Sequence, residues 1–340
     1  MDVKKYRKWL IISIVISATS LAIIFMLSYT KQAGNIILSL NPLIILYAII
    51  LNVFAWTFWA IRIKILASAL DIGICLRKAF RIVMVSQFMA AVTPSSMGGE
   101  PMRIYMLSQD NMTWGNTSVG DATALTVGER LIDFLFFGIS LPILLLLVGL
   151  SIDLAGVKYF MIASAVLLGL AGLFTMFLVT HPHRFKKKIH KLDKILRFII
   201  KEDAKRWNTL KKMEKEFVTF SESTITIFKR KKLHFVAAMG ATALMWTCGF
   251  TIPSVLLMGF GQDPMWLISY TFQMIIVLIT MIPVSPGGSG LAEFSAYFLY
   301  GQRVPSEFLG PLIVVWRILT FYMNLGVGLV FTLHYIAKGK

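Results

Sequence analysis
What most constrains this chain is a set of apolar runs, each long enough to cross roughly 30 Å of hydrocarbon as a helix. They are Trp9 to Tyr29, Leu43 to Ile61, Leu131 to Leu150, Tyr159 to Thr180, Phe235 to Met258 and Leu309 to Tyr335. The composition agrees: 57% of residues are hydrophobic and the mean hydropathy is +0.73, well above an ordinary soluble domain. The expected fold class is all-α, a polytopic helical membrane protein with about six full spans.

Lys4, Lys5, Arg7 and Lys8 precede the first run, as in a secretory signal. That run is about 20 residues long and lacks a convincing cleavage site, so it reads as a retained anchor. Two cysteines, Cys75 and Cys248, neither suit a disulfide framework nor show metal-site spacing. No cofactor or metal is expected. The net charge of +17 is unevenly placed: residues 181 to 232 carry seventeen Lys/Arg against six acids, and Arg62 to Arg81 adds five more basic residues. The segments around Lys31, Asp153, Gln262 and Arg303 have almost none. The positive-inside rule therefore puts both termini and the 181–232 insertion in the cytoplasm, with the chain expected in the plasma membrane. This accounts for the charge without nucleic acid.

The insertion divides the chain into a first membrane half (1–180) and a second (233–340). Trp207, Leu210, Met213, Phe217 and Phe220 recur at helical spacing with lysines elsewhere, which suits a helix lying on an anionic cytoplasmic leaflet. A helix packed on the protein's own cytoplasmic face is the other reading.

Two further apolar stretches do not read as simple spans. Ala79 to Val92 ends in "TPSSMGGEPMRIYML", and Met265 to Ile282 ends in "MIPVSPGGSGLAEF". Pro94 is followed at offsets of four and five by Gly98 and Gly99, as Pro283 is by Gly287 and Gly288, and each glycine pair precedes a carboxylate, Glu100 or Glu293. The expectation is an internal repeat: two re-entrant helical hairpins, about 79–109 and 265–301, oppositely oriented and related by inverted pseudo-symmetry. Short, Gly/Pro-broken segments in corresponding places of two halves point to a transporter's substrate site near the midplane. Two kinked full spans are the alternative.

Pro94, Pro283 and Pro286 cannot donate to a helix ladder, and glycines such as Gly290 tolerate backbone angles other residues resist. Restarting a helix after such a break leaves N–H groups and a positive dipole end that favour a phosphate or carboxylate. Glu100, Arg103, Glu129, Arg130, Asp133, Glu293 and Arg317 lie in or beside membrane segments, where one charge costs roughly 2.5 to 3.5 kcal/mol. Glu129 and Asp133 share a helix face with Arg130 nearby, as one neutralised network or as a structural ion pair at a span's cytoplasmic end. "GGSG" from Gly287 to Gly290 has the form used by intramembrane serine proteases. His334, the one histidine following a long apolar run, is expected at the opposite end of the membrane from Ser289, out of reach as a general base.

"TPSSMGGEPMRIYML", "GERLIDF" (Gly128 to Phe134), "IPVSPGGSGLAEF" and "WRILTFYMNLG" (Trp316 to Gly326), in that order, resemble the flippase-like integral membrane family. That family includes the transmembrane region of lysylphosphatidylglycerol synthetases and stand-alone prokaryotic proteins. The resemblance implies movement of lipid head groups between leaflets. It falls on Pro94, Gly98, Gly99, Glu100 and Arg103; on Glu129, Arg130 and Asp133; on Pro286, Gly287, Gly288, Gly290 and Glu293; and on Arg317. The synthetases continue into a soluble domain that attaches the amino acid, whereas this sequence ends five residues after Tyr335, so it is not expected to be an enzyme.

The leading expectation is a lipid transporter whose partners are membrane lipids, anionic, aminoacylated or lipid-linked. Glu100 and Glu293 would meet a cationic moiety or a proton. Arg103, Arg317 and the exposed N–H groups would meet phosphate. Transport of a soluble ion or metabolite, and a scaffold docking a partner through the basic insertion, are the other two hypotheses. The oligomeric state is open.

Overall fold
From Pro42 to Ala69 no glycine and no second proline interrupts the chain, and Asn41 Oδ1 accepts a hydrogen bond from Leu43 N (2.9 Å), so one helix of 28 residues forms. In the computed structural model, which describes residues 33–93, 98–109, 112–114, 117–148, 203–281 and 286–338 and the isolated positions 15, 19, 22 and 169, this helix follows a short α1 (Ala33–Leu38) and is α2. Then come α3 (Leu76–Ala91), α4 (Gly99–Leu107), α5 (Val119–Val148), α6 (Asp203–Ile225), α7 (Lys232–Phe250) and α8 (Ile252–Gly259). The chain continues through α9 (Trp266–Thr280), α10 (Leu291–Tyr300), α11 (Ser306–Arg317) and α12 (Met323–Lys338). Apart from a lone bridge between Gly73 and Trp114, the described residues are helices, turns and loops.

Among the described residues four stretches are long and apolar enough to cross a membrane: Pro42–Ala69, Val119–Val148, Lys232–Gly259 and Ser306–Ala337. They correspond to four of the six expected spans; Trp9 to Tyr29 and Tyr159 to Thr180 lie outside the described residues but for isolated helical positions. Two boundaries are corrected. The second span runs eight residues past Ile61, and the span expected from Leu131 starts at Val119. Charge hid both extensions: Arg62 and Lys64 in one, Asp121, Glu129 and Arg130 in the other. Helix α5 opens with Ser118 and Asp121, where the Asp121 N–H donates to the Ser118 hydroxyl (3.0 Å).

Two of these stretches are broken. α7 and α8 meet at Thr251, with Pro253 in the first turn of α8. α11 passes into α12 through a π-helical segment, Ile318–Tyr322, where the Leu319 carbonyl accepts a hydrogen bond from Asn52 Nδ2 (2.8 Å). Asn324 Oδ1 accepts from Asn52 Nδ2 and from Trp56 Nε1 (3.0 Å), tying this segment to α2.

The pairs α3/α4 and α9/α10 are shorter; at about 1.5 Å per residue none of the four helices reaches 30 Å. α9 and α10 pack antiparallel: Tyr300 and Ser269 hydroxyls bond at 2.8 Å at the open end, and Gly288 lies against Thr280 near the turn. In the first pair, Gly99 lies against Ala90 and Ser86. Each pair has its own apolar core. Val83, Met106, Ile132 and Leu325 belong to one, Leu256, Phe272, Ala296 and Leu312 to the other, and α2 and α5 run through both.

The helix over 203–225 packs on the start of α5. Glu216 accepts a hydrogen bond from Gly120 N, and Ser223 Oγ donates to Asp121 Oδ1 (2.6 Å). Of the two readings of this insertion, packing on the protein's own helices describes these contacts; residues 181–202 lie outside the described residues.

The two glycine pairs act differently. Gly287 and Gly288 have φ of 59° and 66°, and Gly290 has 85°, so three positions of the second turn need the left-handed region. Gly98 has an ordinary φ of −77°; a Cβ there would meet Thr93 at 2.6 Å, and one on Gly99 would meet Ala90 and Ser86 O at 3.1 Å. Space, not backbone angle, selects glycine in the first turn, which corrects the expectation for that half. Pro94 and Pro283 lie outside the described residues, while Pro286 opens a 3-10 turn, Pro286–Gly288. A Cβ on Gly287 would also meet the Phe321 ring at 2.8 Å and Ala91 O at 3.1 Å, so the second turn abuts the end of α3.

Gly287→Ala therefore combines a strained φ with a close approach and is expected to cost roughly 1–3 kcal/mol. Thermal unfolding in detergent should shift down by several degrees; an unchanged midpoint would refute the packing described.

Candidate functional site
Helix α5 places Glu129, Arg130 and Asp133 ten or more residues beyond its first residue, Val119, rather than at the helix end that a start at Leu131 implied. Glu129 and Asp133 are both about 1% exposed. Carboxylates so deep in an apolar region persist only when paired and hydrogen-bonded.

Their main partner is Arg62, which is fully buried in α2. Its Nε donates to Glu129 Oε1 (3.0 Å), and its Nη1 donates to Asp133 Oδ1 (2.7 Å) and to Thr242 Oγ1 (3.2 Å). The remaining acceptor positions are filled from other helices. Trp59 Nε1 donates to Glu129 Oε1 (2.9 Å), Arg103 Nη1 to Glu129 Oε2 (2.7 Å), and Trp246 Nε1 to Asp133 Oδ1 (3.0 Å). The Arg103 and Arg62 guanidinium carbons lie 4.9 and 5.6 Å from the Trp59 ring centroid.

Glu100 and Arg130 complete the group. Arg130 Nε donates to Glu100 Oε1 (2.9 Å), its Nη2 bonds the same oxygen, and its Nη1 reaches Asp133 Oδ2 (3.4 Å). Three arginines thus face three carboxylates across α2, α4 and α5. Burial divides them: Arg62, Arg103, Glu129 and Asp133 are closed off, while the side chains of Glu100 and Arg130 are 31% and 33% exposed.

The second half carries a related pair. Glu293, on the first turn of α10, accepts from Arg317 Nε at 2.9 Å through Oε1 and from Gly290 N at 2.7 Å through Oε2. It therefore caps its own helix, and Gly290 N, expected to be free for an anion, is occupied. Arg317 also packs over Phe321, 4.3 Å from the ring centroid. Both halves thus set a carboxylate near the start of the helix after the turn against an arginine on the next long helix. Arg103 and Arg317, expected to be phosphate receivers, are each held by a carboxylate.

A cavity of about 580 Å³ lies among these elements. Gln87, Ala90, Gly99, Glu100, Arg103 and Arg130 come to it from the first half, and Gln273, Thr280, Trp316, Thr320 and Asn324 from the second. Trp59 and Trp246 also line it. Gly98, Gly287, Gly288 and Gly290 shape the turns, and Pro286 opens the second. Ser289, the protease-like serine, is buried in that turn, whereas His334 lines a different groove beside Arg77 and Arg81. Among the described residues no group of His, Cys, Asp and Glu has the arrangement of a metal site.

Arg62 was missed as a site residue because the positive-inside reading counted it with the cytoplasmic charges. The signal was available: Ala60, Ile63, Leu66 and Ala67 carry the buried face of α2 past it, and no helix breaker comes before Asp71.

The sequence profile of the family described as the lysylphosphatidylglycerol synthase TM region matches residues 10–328. A UPF0104 membrane protein of Archaeoglobus fulgidus is 33% identical over 97% of this chain and 98% of its own length. UPF0104 membrane proteins of Methanothermobacter thermautotrophicus (24% identical, 93% of each chain) and Pyrococcus horikoshii (22%, covering 86% of this chain and 87% of its own length) are also similar. The chain belongs to this family of multi-pass membrane proteins.

Removing Arg62 leaves two buried carboxylates short of a counter-charge, so Arg62→Ala is expected to cost about 3–5 kcal/mol. Arg62→Lys, a single point charge in place of a fork, should recover little. Unfolding midpoints and folded yield in detergent check both; a fully stable alanine variant would show that Arg62 is not the network's anchor.

Proposed function
We propose that the protein moves a lipid head group between leaflets through the central cavity. The observation that carries this reading is the contrast between the two Glu–Arg pairs, one half-open to a cavity lined from both halves and one sealed. In this reading α3/α4 and α9/α10 are re-entrant hairpins entering from the cytoplasmic and outer faces and meeting near the midplane. Broken backbone at that depth is tolerated where it is buried by protein or lines a wet cavity.

A head group bearing both a phosphate and a cationic group suits the site, because it exchanges one-for-one with the exposed pair. Its cation replaces Arg130 at Glu100, and its phosphate takes up the freed Arg130 guanidinium. The closed set of Arg62, Arg103, Glu129 and Asp133 keeps its neutral balance and acts as the fixed wall. Acyl chains stay in the bilayer. The family's description names a lipid synthase's membrane region, which is compatible with a lipid cargo. Both termini are cytoplasmic, the membrane is the plasma membrane, and the basic 181–232 insertion lies beside the anionic leaflet.

The test is reconstitution in vesicles with a head-group-labelled zwitterionic lipid. Glu100→Gln and Arg130→Gln should each slow transbilayer movement at least tenfold, whereas Glu307→Gln, on the exposed first turn of α11, should not. Equal rates for folded Glu100→Gln and the unsubstituted protein would reject the assigned role.

A further inference from the structure
A second basic site lies away from the central cavity, in a groove of about 590 Å³ between α2, α3 and α12. Arg77 and Arg81 stand one helical turn apart on one wall, and His334 lies on the other. Between them the lining is apolar, with Leu76, Phe80 and Phe331. Among the described residues neither arginine has an ion-pair partner, in contrast to Arg62, Arg103, Arg130 and Arg317, each of which is matched by a carboxylate.

We propose that this groove holds one anionic phospholipid of the cytoplasmic leaflet, with its phosphodiester on Arg77 and Arg81 and an acyl chain along Phe80 and Phe331. Charge complementarity identifies the occupant. Among the described residues no carboxylate pairs with these two guanidinium groups, so an anion complements them, and the first turn of α3, whose N-cap Cys75 provides no side-chain hydrogen bond, adds a positive dipole end beside Leu76 and Arg77. The apolar floor favours a ligand carrying a hydrocarbon tail over free phosphate. Neighbouring Val330, Leu333 and Ile336 are 65%, 58% and 50% exposed, so an apolar face of α12 continues away from the charges. Basic pockets between helices on the cytoplasmic side are a general mode of anionic head-group binding. The lipid would join the first hairpin to the last helix, which already pack together. This site does not depend on the central cavity being a transport path.

The full chain, extracted in neutral detergent and delipidated, is titrated with phosphatidylglycerol and with phosphatidylcholine, and retained lipid is counted by native mass spectrometry. One tightly held phosphatidylglycerol per chain is expected, with at least tenfold weaker retention of phosphatidylcholine. Arg77→Gln/Arg81→Gln should lose that one lipid, and His334→Glu, which places a negative charge on the opposite wall, should weaken it at least tenfold. Lys186→Gln/Lys187→Gln, in the basic insertion, should retain it. Unchanged retention in the folded Arg77/Arg81 variant, or equal retention of both lipids, overturns the proposal. Displacement of the lipid by millimolar inorganic phosphate alone overturns the lipid as occupant.

Discussion

The bifurcated grip of Arg62 on Glu129 and Asp133 is what the rest of the structure depends on. An isolated charge in a low-dielectric interior carries a desolvation cost of several kcal/mol, and here two carboxylates lie one turn apart on a single helix. A planar fork reaching both from α2 meets that cost with directed hydrogen bonds, and Trp59, Trp246 and Arg103 fill most of the remaining acceptor positions. The consequence is positional. α2, α4, α5 and α7 are fixed relative to one another by contacts of Arg62, Trp59, Arg103, Thr242 and Trp246 with the two α5 carboxylates or with each other.

Against that fixed wall the two halves repeat one device with different local solutions. Each breaks a helix, restarts it near a carboxylate, and sets that carboxylate against an arginine on the next long helix. In the first half the turn is tight because side chains must be absent, and Glu100 is left half-exposed. In the second the backbone itself takes left-handed angles, and Glu293 both caps α10 and binds Arg317. One pair is therefore accessible from the cavity while the other is shut.

Much of this was legible in the sequence because membrane packing obeys few rules. Apolar length marked four described spans, the matched Pro-Gly-Gly-carboxylate spacings marked the two short helix pairs with Glu100 and Glu293, and position in or beside apolar runs marked Arg103, Glu129, Arg130, Asp133 and Arg317. Arg62 was hidden because hydropathy ends a span at the first charge, although a charge matched inside the protein need not end a helix. The same cause hid the first twelve residues of α5. The separate roles of the glycines were not legible, since spacing alone does not distinguish a left-handed φ from a close contact. Packing of α6 on the protein was one of two readings, but its partner α5 was not legible, since the contact rests on Glu216 meeting a backbone N–H 96 residues away in the chain.

The central claim is that the two hairpins enter from opposite faces and meet inside. Its most direct test is sidedness of labelling, with Cys75 and Cys248 replaced by serine. Single cysteines are placed at exposed Ser68, shortly before the first hairpin, and exposed Gln302, just after the second. In sealed right-side-out vesicles a membrane-impermeant maleimide should label Gln302→Cys at once and Ser68→Cys only after permeabilisation. Labelling of both from the same side would contradict the account.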